Sequence, residues 1–158
     1  MNETARIRDL LDQVVAGDAW HGPSLLALLA GVPLELAVRR PIPGAHSIWE
    51  LVLHATFWQE IVRRRLAGEP WREPPAAESW PPVGAAGRDG WREAVARLED
   101  GHRRLADALA AAPDDRLDDL VADGDHSVYV MLHGLIHHHL YHAGQIALLK
   151  RAAGVDPV

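Results

Sequence analysis

Apolar residues recur every three to four positions in four long stretches of the chain, separated by breaks rich in proline and glycine. That period is the mark of amphipathic helices, since a half-buried strand would alternate every second residue. Ile7, Leu10, Leu11, Val14 and Val15 define a first helix over residues 2–16, with Asn2 or Thr4 as its cap and Gly17 as its stop. Residues 24–30 continue as a helical piece until Gly31 and Pro33 break it, and a short helical turn follows over 34–39. Residues 41–46 read as an extended connector. Ser47, with Glu50 three positions on, then gives the capping-box pattern for a second long helix that runs to about Leu66. Its apolar face holds Leu51, Trp58 and Ile61, with His54 among them.

Residues 68–87 contain Pro70, Pro74, Pro75, Pro81 and Pro82 with Trp71 and Trp80 interleaved. They cannot form a continuous helix, and so long a connection is expected to cross an end of the fold or cover a site. A third helix opens at Asp89 or Gly90 and runs to about Ala112, where Pro113 stops it. Trp91, Ala94, Val95, Leu98, Leu105 and Leu109 form its buried stripe; His102 sits among the charged residues of the other face and is expected to be exposed. Residues 114–125 are acidic and irregular, and Asp125 or Ser127 caps a final helix that ends near residues 151–154. The pattern predicts an all-α fold, a four-helix bundle with short extra helical segments, in one domain over residues 1–158.

Composition narrows the chemistry. The chain has no cysteine, which removes disulfides, zinc–thiolate sites and a thiol nucleophile of its own. A net charge of −6 argues against nucleic acid or an anionic membrane as a partner. No apolar run approaches the length of a membrane span and no signal peptide is visible, so the expected location is cytoplasmic. Phosphate-cradling glycine loops, dinucleotide fingerprints and the GxSxG elbow are all missing.

What stands out is histidine, ten in all, with His133, His137, His138, His139 and His142 in the last helix. Residues four apart on a helix stack on one face, a spacing suited to holding a metal ion, and it is met both by His133 with His137 and by His138 with His142. Spacing therefore does not choose between the pairs, but the apolar stripe does. At about 100° per residue, Val128, Met131, Leu135, Ile146 and Leu149 cluster on one side. His138 and His142 fall inside that cluster, His133 and His137 point nearly the opposite way, and His139 lies at the edge. Imidazoles on a buried face are costly unless their nitrogens have partners, and a divalent ion is one such partner. His54, on the second long helix, is read either as a hydrogen-bonded core residue or as a third ligand from across the bundle.

Three stretches, Trp20-His21-Gly22-Pro23-Ser24, His46-Ser47-Ile48-Trp49-Glu50-Leu51-Val52-Leu53-His54 and His138-His139-Leu140-Tyr141-His142-Ala143-Gly144-Gln145-Ile146, resemble the DinB-like (YfiT-like) metalloprotein superfamily. The resemblance covers nearly the whole chain and is most specific in the last helix. It implies a four-helix bundle of unusual connection order holding a divalent ion, commonly zinc or nickel, on one histidine of the second long helix and two of the last. Matched residue by residue these are His54, His138 and His142, the same three that the helical faces bring together. The departure is the pair His137 and His139 beside His138, since a shift of one residue would exchange ligands. Gln145 and Tyr141 also match the family helix and are expected to be pocket residues; Gly144 is expected to be a place of close helix packing.

Three neutral imidazoles leave a metal its full charge and an open position, the pattern of a catalytic site. Relatives that use bacillithiol or mycothiol imply a thiol S-transferase acting on small electrophiles, with a low-molecular-weight thiol as cosubstrate. A metal-dependent hydrolase of amides or esters and a non-catalytic metal-binding, stress-related bundle are the alternatives. The partners expected are a small-molecule substrate and a second copy of the chain in a homodimer.

Overall fold

The structure is a computed structural model and describes residues 2–85 and 87–156. Seven α-helices account for most of it: α1 (Glu3–Val15), α2 (Leu25–Leu29), α3 (Leu34–Ala37), α4 (Ile48–Leu66), α5 (Ala76–Ser79), α6 (Gly87–Ala111) and α7 (Val128–Ala152). Among the described residues there is no strand, only an isolated antiparallel bridge between Leu120 and Ser127. Among the described residues no helix is long and apolar enough to cross a membrane.

The four long helices make the bundle. α4 packs on α6 and α7, and α1 packs on the same two, so α1 and α4 are diagonal, as are α6 and α7. The chain therefore crosses the bundle twice, once through the α2–α3 segment and once through the turn after α6. Local chemistry fixes the ends. Ser47 Oγ accepts from Glu50 N at 3.3 Å while the Glu50 carboxylate accepts from Ser47 N at 2.7 Å, the reciprocal cap expected of that sequence. Ser127 Oγ caps α7 by accepting from Val130 N. Asn2 caps α1, but a distant residue does more there. The Asp114 carboxylate accepts from Glu3 N, Thr4 N and Thr4 Oγ1 at 2.7, 3.0 and 2.7 Å. Those bonds hold its pKa below the usual carboxylate value, and they tie the acidic segment after α6 to the start of the chain.

The apolar core comes in two clusters. One gathers Leu25, Leu28, Trp49, Val52, Trp91, Leu98, Ile146 and Leu149; the other gathers Ile7, Leu11, Val62, Leu105, Leu109, Leu132 and Leu135. Along α4, α6 and α7 the junction between them falls near residues 54–59, 101–102 and 138–142. The buried polar side chains His54, Gln59, His102, His139 and His142 lie in that belt. A polar layer across the middle of a bundle costs desolvation at every group it contains, so each needs a partner.

Two sequence expectations are corrected in this belt. His102 is buried, not exposed: its ring faces α1 and its Nε2 stands 2.9 Å from Asp12 Oδ1. His139 is at the centre of the buried face of α7 and wholly inaccessible, not at the edge. The reason is that α7 touches α1, α2 and α4. Its buried arc therefore also takes in Leu132, Ile136 and Ala143, and its midpoint moves toward His139. A third expectation also fails. Gly144 is exposed, and a Cβ built on it would meet no atom within 4 Å, so it is not a point of close helix approach.

Candidate metal centre

His54 projects from the middle of α4, and His138 and His142 project from successive turns of α7. One ligand atom from each lies within 4.8 Å of the others. His138 Nε2 stands 3.0 Å from His54 Nε2 and 3.0 Å from His142 Nε2. His133 and His137 take no part: His133 turns its Nδ1 to its own helix, 3.0 Å from Tyr129 O, and His137 is exposed.

The protons on these rings are set by their outer nitrogens. His54 Nδ1 lies 2.5 Å from the Ser79 carbonyl oxygen, and His142 Nδ1 lies 2.7 Å from Gln145 Oε1. Both oxygens only accept, so both Nδ1 atoms carry the hydrogen. In the neutral rings, Nε2 of His54 and Nε2 of His142 are then bare lone pairs, and both point at His138 Nε2. A neutral His138 has one N–H to offer and can satisfy one of them at most. Its own Nδ1 is buried with no partner among the described residues.

A proton could relieve the clash only by making an imidazolium, and the surroundings oppose that. Burial is the largest cause lowering all three pKa values, and the other histidines add to it; His138 is pushed down to about 3. The hydrogen bonds to Ser79 and Gln145 work in the opposite direction on His54 and His142 without overcoming burial. Three converging ring nitrogens, two of them bare lone pairs, in surroundings that oppose an imidazolium are suited to a cation that neutral imidazole ligates. Two nitrogens on one tetrahedral ion with bonds of about 2.0–2.1 Å stand roughly 3.4 Å apart, close to the separations here. The residues present fit a divalent metal.

A roof that sequence reasoning located only in outline completes the site. The proline-rich connection brings Ser79, at the end of α5, to His54 and lays Trp80 flat on the His54 ring, with centroids 3.8 Å apart and planes 8° from parallel. The other face of Trp80 stacks on His46 at 3.7 Å. Trp58, one turn along α4, stands edge-on to His54 and to His138. His46, Ser79 and Trp80 were not picked out as site residues. The only sequence signal for them was tryptophan and histidine placed in or beside a proline-rich loop. Tyr141 has its ring 5.2 Å from that of His142, but it is 66% exposed on the outer side of α7. Trp20 and His21 are exposed. Glu50 stays with its cap and with Arg40, 2.5 Å away.

No curated protein and no solved structure matches the chain. A family model described as the DinB superfamily matches residues 19–146. The matched stretch carries the three converging histidines together with Ser79 and Gln145, the two acceptors that orient them, and the chain belongs to the DinB superfamily.

Proposed function

We propose that the protein is a metal-dependent transferase that joins a low-molecular-weight thiol to a small electrophile, with His54, His138 and His142 as the ligands of a zinc or nickel ion. The observation that carries this reading is the convergence of three Nε2 atoms, two of them held as bare lone pairs by hydrogen bonds on the far side of the ring. A divalent ion on three neutral nitrogens retains its charge and an open position, and it lowers the pKa of a thiol or water that it binds.

The chain's own residues supply orientation and dryness. Ser79 and Gln145 hold the His54 and His142 tautomers, and Trp58 and Trp80 shield the rings from water. In the transfer, a carbon–sulfur bond forms. The thiol proton leaves with the displaced group or, for addition to an activated alkene, ends on carbon. The protein has no cysteine, so the sulfur comes from a cosubstrate. Transfer is preferred to hydrolysis because, among the described residues, no aspartate or glutamate belongs to the histidine cluster to pass a proton to a leaving amine. Bound thiol and bound water must each lose a proton, but amide cleavage must also protonate the leaving amine, which a thiolate displacing a weakly basic group does not require.

The test is a screen of the zinc- and nickel-loaded protein with small thiols and a model electrophile, run beside an activated amide. Metal-dependent thiol conjugation that is lost in His54→Ala and retained in His133→Ala supports the reading. Amide cleavage without conjugation overturns transfer in favour of hydrolysis, and equal metal content in the two variants overturns the ligand assignment.

A further inference from the structure

A cavity of about 470 Å³ runs between α4 and α7 from the histidine cluster toward the end of the bundle. His138 closes it at one end, Trp58 and Met131 form its walls, and Arg65 and Trp71 line the other end. Trp58 and Arg65 are seven residues apart on one helix, so the cavity is about 10 Å long. Its volume is that of a small-molecule site, and its length suits a phenyl ring carrying a short acid chain. Its walls are mostly apolar.

Of the cavity's polar lining residues, His138 belongs to the histidine cluster and His126 sits beside Trp71 with Asp125 as partner. Arg65 carries a fixed charge, and its surroundings are unusual for a buried cation. It is 5% exposed. Its guanidinium lies 3.4 Å from the Trp71 ring centroid, and its Nη2 donates to Arg72 O at 2.8 Å. Among the described residues no carboxylate forms a salt bridge with it. Glu69 is engaged with Arg64, and Glu73 is exposed and acts only at longer range. Buried charges are ordinarily paired, because an uncompensated one keeps its full desolvation cost. Glu73 and Glu69 act on Arg65 only through space, and the position for a directly paired carboxylate faces a cavity whose far end is the histidine cluster.

Gly134 adds a second observation. It lies within α7 on the exposed side of the same cavity, and a Cβ placed on it would meet nothing within 4 Å. Glycine is unfavourable inside a helix, and no packing contact requires it at this position. What its missing side chain leaves is room in the cavity.

We propose that the cavity takes the electrophilic substrate, and that this substrate is an apolar-bodied organic monocarboxylate. Its carboxylate pairs with Arg65 and its reactive end lies against His138. The assignment of a reactive end rests on the transferase reading; the carboxylate pocket does not.

The zinc-loaded protein is titrated calorimetrically with 3-phenylpropanoate, 3-phenylpropanamide and succinate. The expected result is that the amide and succinate each bind at least tenfold more weakly than the phenyl acid. Arg65→Met should bring the acid down to the level of the amide and leave the amide unchanged. Gly134→Leu should abolish binding of both with helix and metal content intact. Equal binding of acid and amide by the wild type overturns the proposal, as does wild-type binding by Gly134→Leu. So does an acid preference that survives Arg65→Met and vanishes in His54→Ala, because the carboxylate would then sit on the ion. These comparisons do not depend on Arg65→Met being well folded, since the wild type and Gly134→Leu each suffice to refute the pocket. If acid-over-amide discrimination holds while the thiol screen is silent, the pocket stands and the transferase reading falls.

Discussion

Gln145→Leu isolates the contribution of a residue that never touches the ion. The amide oxygen of Gln145 accepts from His142 Nδ1 at 2.7 Å and so keeps Nε2 bare and aimed at His138. Leucine has similar bulk and no acceptor. The His142 ring then loses its fixed tautomer and its orientation, and metal binding must restore both. Removing such a partner from a ligating histidine costs about 10–100-fold in metal affinity, which is about 1.4–2.7 kcal/mol. Loss of a ligand in His54→Ala should cost far more, so the two variants separate orientation from coordination. The conservative change Gln145→Glu restores an acceptor, now charged, and should bring affinity to the wild-type level or above it. The assay is competition for zinc against a chromophoric chelator at pH 7.5, with far-ultraviolet circular dichroism to confirm equal folding. If Gln145→Leu binds zinc as tightly as the wild type, the hydrogen bond does not set the ring, and the argument from converging lone pairs loses one of its two supports.

Two further outcomes concern stability. Gly144→Ala should stabilise the protein by about 0.8–1 kcal/mol, because the position is helical and exposed and the added methyl meets nothing. That corresponds to a rise in Tm of about 2–4 °C, and a fall would mean the backbone is approached closely there after all. The metal-free protein should lose stability as pH falls from 7 to 5. His54, His102, His138, His139 and His142 all have folded pKa values below 6.5, burial being the largest cause. The unfolded chain therefore takes up protons first, at up to about 1.4 kcal/mol per pH unit for each histidine. The stability is complete above the unfolded value and drains as pH drops toward the folded one. Urea midpoints that stay flat over this window, which lies above carboxylate titration, would contradict the assignment of neutral buried rings.

The convergence of the three histidines is partly legible because helices are periodic. Counting turns puts His138 and His142 on the buried face of one helix and His54 among the apolar residues of another, and the family resemblance joins the three and adds Gln145. Helix ends were legible for a similar reason, since Ser47 with Glu50 is a local chemical unit. His139 falls outside the counted stripe because the width of a buried arc depends on how many neighbours a helix has, and α7 has three. A stripe counted from Met131, Leu135, Ile146 and Leu149 omits Leu132, Ile136 and Ala143. On α6, the charged neighbours of His102 give no sign that Asp12 of another helix meets its ring. The Trp80 stack and the Ser79 carbonyl were illegible for a different reason. They arrive on a connection whose path is set by prolines and by what it lands on, and no spacing in the sequence encodes that landing. The cap that Asp114 places on α1 is likewise a contact between residues more than a hundred positions apart.

The Ser79 carbonyl has one more consequence. It joins the connection between α4 and α6 to the same imidazole whose opposite nitrogen faces the centre. Two attachments to one small rigid ring are thermodynamically linked, so any factor by which a cation tightens the strap, the strap returns to the cation. Loading should therefore shield the backbone around Ser79 and Trp80 from proteases and slow its amide exchange. Clipping the strap should release the ion without touching a ligand.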